Sequence, residues 1–210
     1  LRVVDKMYTK GVSSVLDYSV EGKEEEAQFD AALNMTLKTI EFAREREAIP
    51  FAVFKPTGFG RLALYEKVGD KAHLTENEQK EWNRVIERFD IACKTAFEKD
   101  VLLLIDAEES WMQDAADAIV TDMMRKYNKQ KTIVFNTLQM YRWDRLDYLK
   151  NLHEQAKSEG FYIGMKLVRG AYMEKENDRA TERGLKSPIC VSKEATDINY
   201  DAAVLYMIDN

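Results

Sequence analysis

Histidine and cysteine are nearly missing from this chain, with two of each among 210 residues. Cys93 and Cys190 stand far apart and alone, so no disulfide framework can be drawn. Adding His73 and His153 produces no recognisable zinc spacing, and no metal site is expected. Two unpaired cysteines fit a reducing compartment. Proline (3) and glycine (9) are scarce, which excludes collagen-like and low-complexity chains. No run approaches eighteen apolar residues, so no segment reads as a transmembrane span. Positive charge is not in excess either: 31 basic side chains face 37 acidic ones, a formal net charge of −6. An acidic chain without a basic stripe repels phosphates, which argues against nucleic acid as a main partner. The first residues, Leu1-Arg2-Val3-Val4-Asp5-Lys6, have no apolar core or small-residue cleavage site of the signal-peptide kind, and no initiator Met. The chain reads as a piece of something longer, or a processed product.

What is present is a globular composition, 45% hydrophobic and 32% charged, in alternating segments. Short apolar runs read as strands at Val12–Asp17, Phe51–Lys55, Val101–Ile105, Thr132–Phe135 and Ile163–Val168. Between them, apolar residues stepping at three to four predict helices over 24–46, 111–127 and 142–159, the last stopped by Gly160. Two more fall within 58–98, the second opened by Thr75. A charged helix follows Tyr172, and 200–208 reads as a final helix. Continuous apolar strands alternating with helices call for a parallel sheet covered by helices. An open doubly wound sheet and a (β/α)₈ barrel both fit. Asp17, Lys55, Asp106 and Arg169 sit at strand C-terminal ends, with Gln139 just past another. In a barrel those ends share one rim, and no G-x-G-x-x-G follows the first strand, so the barrel is favoured. It would be incomplete, because about five strands are recognisable where a barrel needs eight.

Asp106 ends the most hydrophobic strand, either as a functional rim carboxylate or as a cap for the acidic turn after it. Glu108 and Glu109 read as first-turn charges favoured by a helix N-terminus, and Ser110 as its N-cap. Lys55, in an apolar strand before Pro56, either snorkels to the rim or pairs with an acid such as Asp106 or Asp17. Lys166 shares one strand face with Gly164 and Val168, and glycine there implies a bulky close neighbour. Its ammonium could be a Schiff-base nucleophile, a positive neighbour for an electron-rich cofactor, or a salt-bridge partner of an adjacent strand. In Arg169-Gly170-Ala171-Tyr172, small residues expose backbone where a flat ring could lie. Tyr141, Trp143, Tyr148, Trp82, Trp111 and His153 read as packing, and Cys93 as core.

Lys55-Pro56-Thr57-Gly58, Leu104-Ile105-Asp106-Ala107-Glu108 and Asn136-Thr137-Leu138-Gln139-Met140-Tyr141 resemble the proline dehydrogenase family in content and order. So do Gly164-Met165-Lys166-Leu167-Val168-Arg169-Gly170-Ala171-Tyr172 and Lys193-Glu194-Ala195-Thr196-Asp197-Ile198-Asn199-Tyr200. The likeness runs from about residue 12 to the end, and the Gly164–Tyr172 stretch is the most specific. It implies a (β/α)₈ flavoenzyme that binds FAD and oxidises L-proline to 1-pyrroline-5-carboxylate, passing electrons to a quinone. It also implies functional coupling to a pyrroline-carboxylate dehydrogenase and peripheral contact with a membrane. The location it implies is cytoplasmic, or the mitochondrial matrix in a eukaryote. By the same resemblance Lys55 and Asp106 belong to the proline pocket, and Tyr172 packs on the substrate ring. Lys166 stands where many bacterial members carry an arginine beside flavin N5. Arg169, Gly170 and Ala171 line the flavin, Gln139 bonds its pyrimidine edge, and Ala107 lends backbone contact. The chain then reads as one catalytic domain, residues 1–210, lacking the family's last strands and its late helix with paired arginines. These 210 residues alone are therefore expected to bind FAD poorly. Without the resemblance, two other readings stand: a barrel lyase or aldolase using Lys166, and a helix-rich scaffold with an acidic docking surface.

Overall fold

The structure is a computed structural model and describes residues 2–17 and 23–210. After a short helix α1 (Arg2–Tyr8), helix α2 (Glu26–Arg44) buries Phe29, Leu33, Ile40 and Ala43, spaced three to seven residues apart on one stripe. Strand β1 (Phe51–Phe54) leads through a 3₁₀ turn at Pro56–Gly58 into α3 (Leu62–Gly69) and α4 (Glu76–Lys99). Thr75 and Glu78 cap α4 reciprocally, each side chain accepting from the other's backbone N–H. The chain continues as β2 (Leu102–Ile105), α5 (Ser110–Tyr127), β3 (Val134–Gln139), α6 (Arg145–Glu159), β4 (Met165–Val168), α7 (Met173–Arg183) and α8 (Lys193–Asp209). Gly160 ends α6 in the left-handed conformation (φ 67°), where a side chain would be strained.

The four strands of the described residues are all parallel, and their spatial order β1-β2-β3-β4 is their order in the chain. A doubly wound sheet reverses direction at a switch point. No reversal occurs here, and each crossover carries its helix or helices back to start the next neighbour. That is how a (β/α)₈ barrel is laid down. The two faces of the sheet differ. Ala52, Phe54, Leu103, Ile105, Val134 and Leu138 are buried in the main core formed with the helices. On the concave face Val53 and Leu104 are buried outside that core, while Phe51, Leu102 and Phe135 are half-buried, with Phe51 and Phe135 edge to face at 5.6 Å between ring centres.

The final helix starts at Lys193, seven residues before the expected 200, and three further details depart from the sequence expectation. Residues 12–17 form no strand of the sheet: Ser14 donates to the Ala48 carbonyl at 2.8 Å, and Leu16 makes a single parallel bridge to Ala52. Val12 and Val15 are exposed, so of these only Leu16 has apolar cover to hold it, and the described residues form a sheet of four strands where five were expected. Strand β3 runs on to Gln139, beyond the expected end at Phe135. Its polar residues are satisfied in place, Asn136 by Asp117 of α5 (2.8 Å) and Thr137 by the Ile105 carbonyl (2.9 Å). Helix α6 starts three residues later than expected, because Arg142 pairs with Ile189 in an isolated antiparallel bridge.

Gly164 has the close neighbour expected of it. A Cβ there would lie 2.5 Å from Thr132 Cγ2 and 2.7 Å from Phe135 Cδ1. The Phe135 ring cannot yield without disturbing the Phe51 contact. We expect Gly164→Ala to lower stability by about 1–3 kcal/mol, read as a shift in urea midpoint at unchanged m-value. An unchanged midpoint would show that the concave face is loosely packed.

Candidate active site

The site follows from strand register. Phe54 pairs with Ile105, Leu104 with Phe135, and Thr137 with Lys166. Counting one step along the first and two along the second aligns Lys55, Asp106, Thr137 and Lys166 in one transverse row. Residues in register on parallel strands point to the same face, here the concave one. Proline helps at the start of the row. The residue before a proline is held extended, and Lys55 sits at φ −101°, ψ 138°, so its side chain keeps the strand's alternation.

The row brings opposite charges together. Lys166 donates to one Asp106 carboxylate oxygen, and the Lys55 ammonium lies 3.7 Å from the other. Lys55 also donates to the Tyr172 hydroxyl at 3.5 Å. Side-chain exposures of 16% for Lys55, 17% for Asp106 and 32% for Lys166 leave the group reachable from solvent, yet shielded enough for its charges to matter. Two ammonium groups thus share one carboxylate. Asp106 caps no helix.

All nine residues singled out in the sequence line one cleft of about 290 Å³: Lys55, Asp106, Ala107, Gln139, Lys166, Arg169, Gly170, Ala171 and Tyr172. Thr137 and Val168 complete it. It shares the Arg169–Tyr172 segment with a larger cleft of about 1150 Å³ that reaches Tyr141 and residues 186–193. The nine do not all present their side chains alike. The Arg169 guanidinium bonds Asp197 of α8 at 2.6 Å and lies over the Tyr200 ring. The Gln139 carboxamide donates to the Glu108 carbonyl (2.7 Å) and accepts from the Ala171 N–H (3.1 Å), retaining one N–H and one lone pair. Gly170 is required by a neighbour within the chain: its φ is 133°, and a Cβ would meet the Tyr141 ring at 2.5 Å. Asp17 is exposed and is not among the lining residues.

The sequence reading missed the group behind the row. Glu108 is 2% exposed and accepts from both the Thr57 N–H (2.9 Å) and the Thr57 hydroxyl (2.6 Å). Its own N–H donates to Gln113 at 3.0 Å. Ser110 is the first helical residue of α5 and not its N-cap. Its N–H and hydroxyl both donate to Glu176 at 2.6 Å, and Lys175 reaches Glu109 at 2.9 Å. These bonds dock α7, and with it Tyr172, onto the loop after β2.

Parallel strands in consecutive order, with a polar site at their C-terminal ends, define a sector of a (β/α)₈ barrel carrying its site on the usual rim. The whole chain, residues 1–210, matches the family described as proline dehydrogenase, and it belongs to that family. It is 36% identical over 197 residues to the carbapenem antibiotics biosynthesis protein CarD of Pectobacterium carotovorum subsp. carotovorum, covering 94% of this chain and 51% of that protein. It is 38% identical over 138 residues to mitochondrial proline dehydrogenase 1 of Homo sapiens, covering 66% and 23%. Its fold matches proline utilization A (PutA) from Bdellovibrio bacteriovorus with a TM-score of 0.81 at 18% identity, over 99% of this chain and 22% of that one. PutA from Bradyrhizobium japonicum gives 0.78 at 18% identity, over 95% and 20%. The chain therefore spans about half the length of CarD and about a quarter or less of the other three.

Burial pushes the Glu108 pKa up from 4.5 to about 7, against the opposing pull of the Thr57 donors and of Lys55, and Glu109 adds to the rise. Tyr65 of α3, Gln113 of α5 and Gln139 of β3 also face it or its backbone. A folded value above the unfolded one means that Glu108 contributes most below about pH 4.5, and that this contribution is lost as pH rises through about 7. Glutamine at 108 has no charge to desolvate. From about pH 5 to 8 the parent should lose on the order of 2–3 kcal/mol relative to Glu108→Gln, measured by urea unfolding in the protein that carries this chain. Parallel pH profiles would contradict the burial of a titrating carboxyl.

Proposed function

We propose that this chain forms part of an FAD-dependent dehydrogenase that oxidises L-proline to 1-pyrroline-5-carboxylate, with electrons passing to a quinone. The observation that carries this reading is the ion-paired row Lys55–Asp106–Lys166 at the strand C-terminal rim. In this reading residues 1–210 are a single catalytic barrel domain completed by further strands and a late helix.

The residues present fit a flavin edge. Val168 gives the cleft an apolar wall, and the spare N–H and lone pair of Gln139 suit the donor–acceptor edge of a pyrimidine ring. Gly170 and Ala171 line the cleft without bulky side chains, and Ala107 and Arg169 border it through neighbouring chain segments. When bound, FAD supplies the electron acceptor for the carbon adjacent to the proline nitrogen. Lys166 places an ammonium where negative charge grows during the reaction, stabilising the transition state more than the ground state. Asp106 orients that ammonium and holds Lys55 beside it. Lys55 and Tyr172 bound the substrate side of the cleft, the lysine favouring an anionic group and the phenol packing on a small saturated ring. Orientation by fixed groups accounts for the chain's share of catalysis.

A Schiff-base role for Lys166 is disfavoured by its engagement with Asp106, since a nucleophilic lysine needs an amine directed at the substrate. No helix of the described residues is long and apolar enough to cross a membrane. Delivery of electrons to a quinone would then use peripheral contact. The product suits a pyrroline-carboxylate dehydrogenase as the next enzyme, and a cytoplasmic or matrix location suits both.

The test is anaerobic addition of L-proline to the purified protein that carries this chain. Its visible flavin absorbance should bleach, and Asp106→Asn and Lys166→Met should each lower kcat/KM for proline by about 100-fold or more. A colourless protein, or trapping of a carbonyl substrate on Lys166 by borohydride, would overturn the reading.

A further inference from the structure

The loop after β1 is pinned from three later elements of the chain. Tyr65 of α3 donates its hydroxyl to the Pro56 carbonyl at 2.8 Å, and Arg88 of α4 donates to the Phe59 carbonyl at 3.0 Å. Between those points Glu108 reaches back from the loop after β2 and takes both the N–H and the hydroxyl of Thr57. We propose that Glu108 is a positioning residue: its buried carboxyl clamps Thr57, and through Pro56 holds Lys55 opposite Asp106, so that the loops after β1 and β2 move as one unit. The Glu108 backbone extends the same link on both sides. Its carbonyl receives Gln139 from the end of β3, and its N–H donates to Gln113 in the first turn of α5. Gln139 in turn accepts from the Ala171 N–H. One residue therefore ties together the segments carrying Lys55, Asp106, Gln139 and Ala171. Its carboxyl also lies behind the row, with Lys55 among the groups that act on it.

The clamp needs two hydrogen bonds of defined direction rather than a charge. An amide at 108 can accept from the Thr57 N–H through Oε1 and donate to the Thr57 hydroxyl oxygen through Nε2. Alanine at 108 makes neither bond. Valine at 57 keeps the side-chain shape but leaves the second Glu108 oxygen without its donor. The inference rests on the proposed reaction only for its kinetic effect, so the test has a second readout independent of turnover. In the protein that carries this chain, hydrogen exchange is followed over residues 54–60, alongside steady-state kinetics with L-proline. Glu108→Ala and Thr57→Val should raise exchange in that segment by about tenfold or more. They should also raise KM for proline by about tenfold, with a smaller change in kcat. Glu108→Gln should restore both readouts to within about threefold of the parent. Should Glu108→Ala leave folding incomplete, Thr57→Val carries the test alone. Unchanged exchange in Thr57→Val, or a Glu108→Gln variant as impaired as its alanine counterpart, would overturn the clamp. Absence of proline-dependent reduction in the parent would contradict the proposed reaction, while the exchange readout still decides the role of Glu108.

Discussion

One carboxylate between two ammonium groups is the interaction on which the site depends. Asp106 stands where strand register delivers it, one position from Lys55 on one side and two from Lys166 on the other. At an effective dielectric near 20, each pair gains a gross attraction of about 4 kcal/mol before desolvation is counted. Desolvation removes much of that, so the arrangement is weak support for stability but strong support for order. Without the Asp106 charge, two ammonium groups would face each other across β2 and β3 and swing toward solvent. With it, both are held at the cleft.

Register alone does not hold side chains to a fraction of an ångström. That falls to hydrogen bonds between the loops at the strand ends. Thr57, Glu108, Gln139 and Ala171 form one connected path, and Gln113, Asp117, Asn136 and Arg145 continue it into the helical layer through bonds of 2.8 Å. Buried polar networks of this kind are tolerable only when their members are paired, and they then specify a single arrangement. Helix α7 is drawn into the same unit by Glu176 and Lys175, which explains how a highly charged helix keeps a fixed place beside the cleft.

Much of this was legible in the sequence because it rests on local rules. Period-two alternation and a following proline place Lys55 on the inner face, and the same alternation separates Lys166 from Leu167 and Arg169. The apolar run 101–105 marks Asp106 as a strand-end carboxylate, and Gly164 announces the Phe135 ring. The expectations that differed depend on partners far along the chain. Glu108 looks like a solvated first-turn acid until Thr57, 51 residues away, is seen beside it. Ser110 resembles an N-cap until Glu176, 66 residues on, takes its hydroxyl. Strand β3 reads as shorter in the sequence because Asn136 and Thr137 break an apolar run, whereas Asp117 and the Ile105 carbonyl hold both in place. Residues 12–17 have strand-like composition, but only Leu16 finds a packed surface. Gly170 reads as room for a ligand, whereas the Tyr141 ring occupies the space a side chain would need.

The most direct measurement is a double-mutant cycle on kcat/KM for L-proline, combining Asp106→Asn with Lys166→Met in the protein that carries this chain. Groups that act as one unit are not additive, so the double variant should be little worse than the more impaired single variant. Losses that simply multiply would mean that Asp106 and Lys166 act independently, which would contradict a shared carboxylate as the organising element of the site.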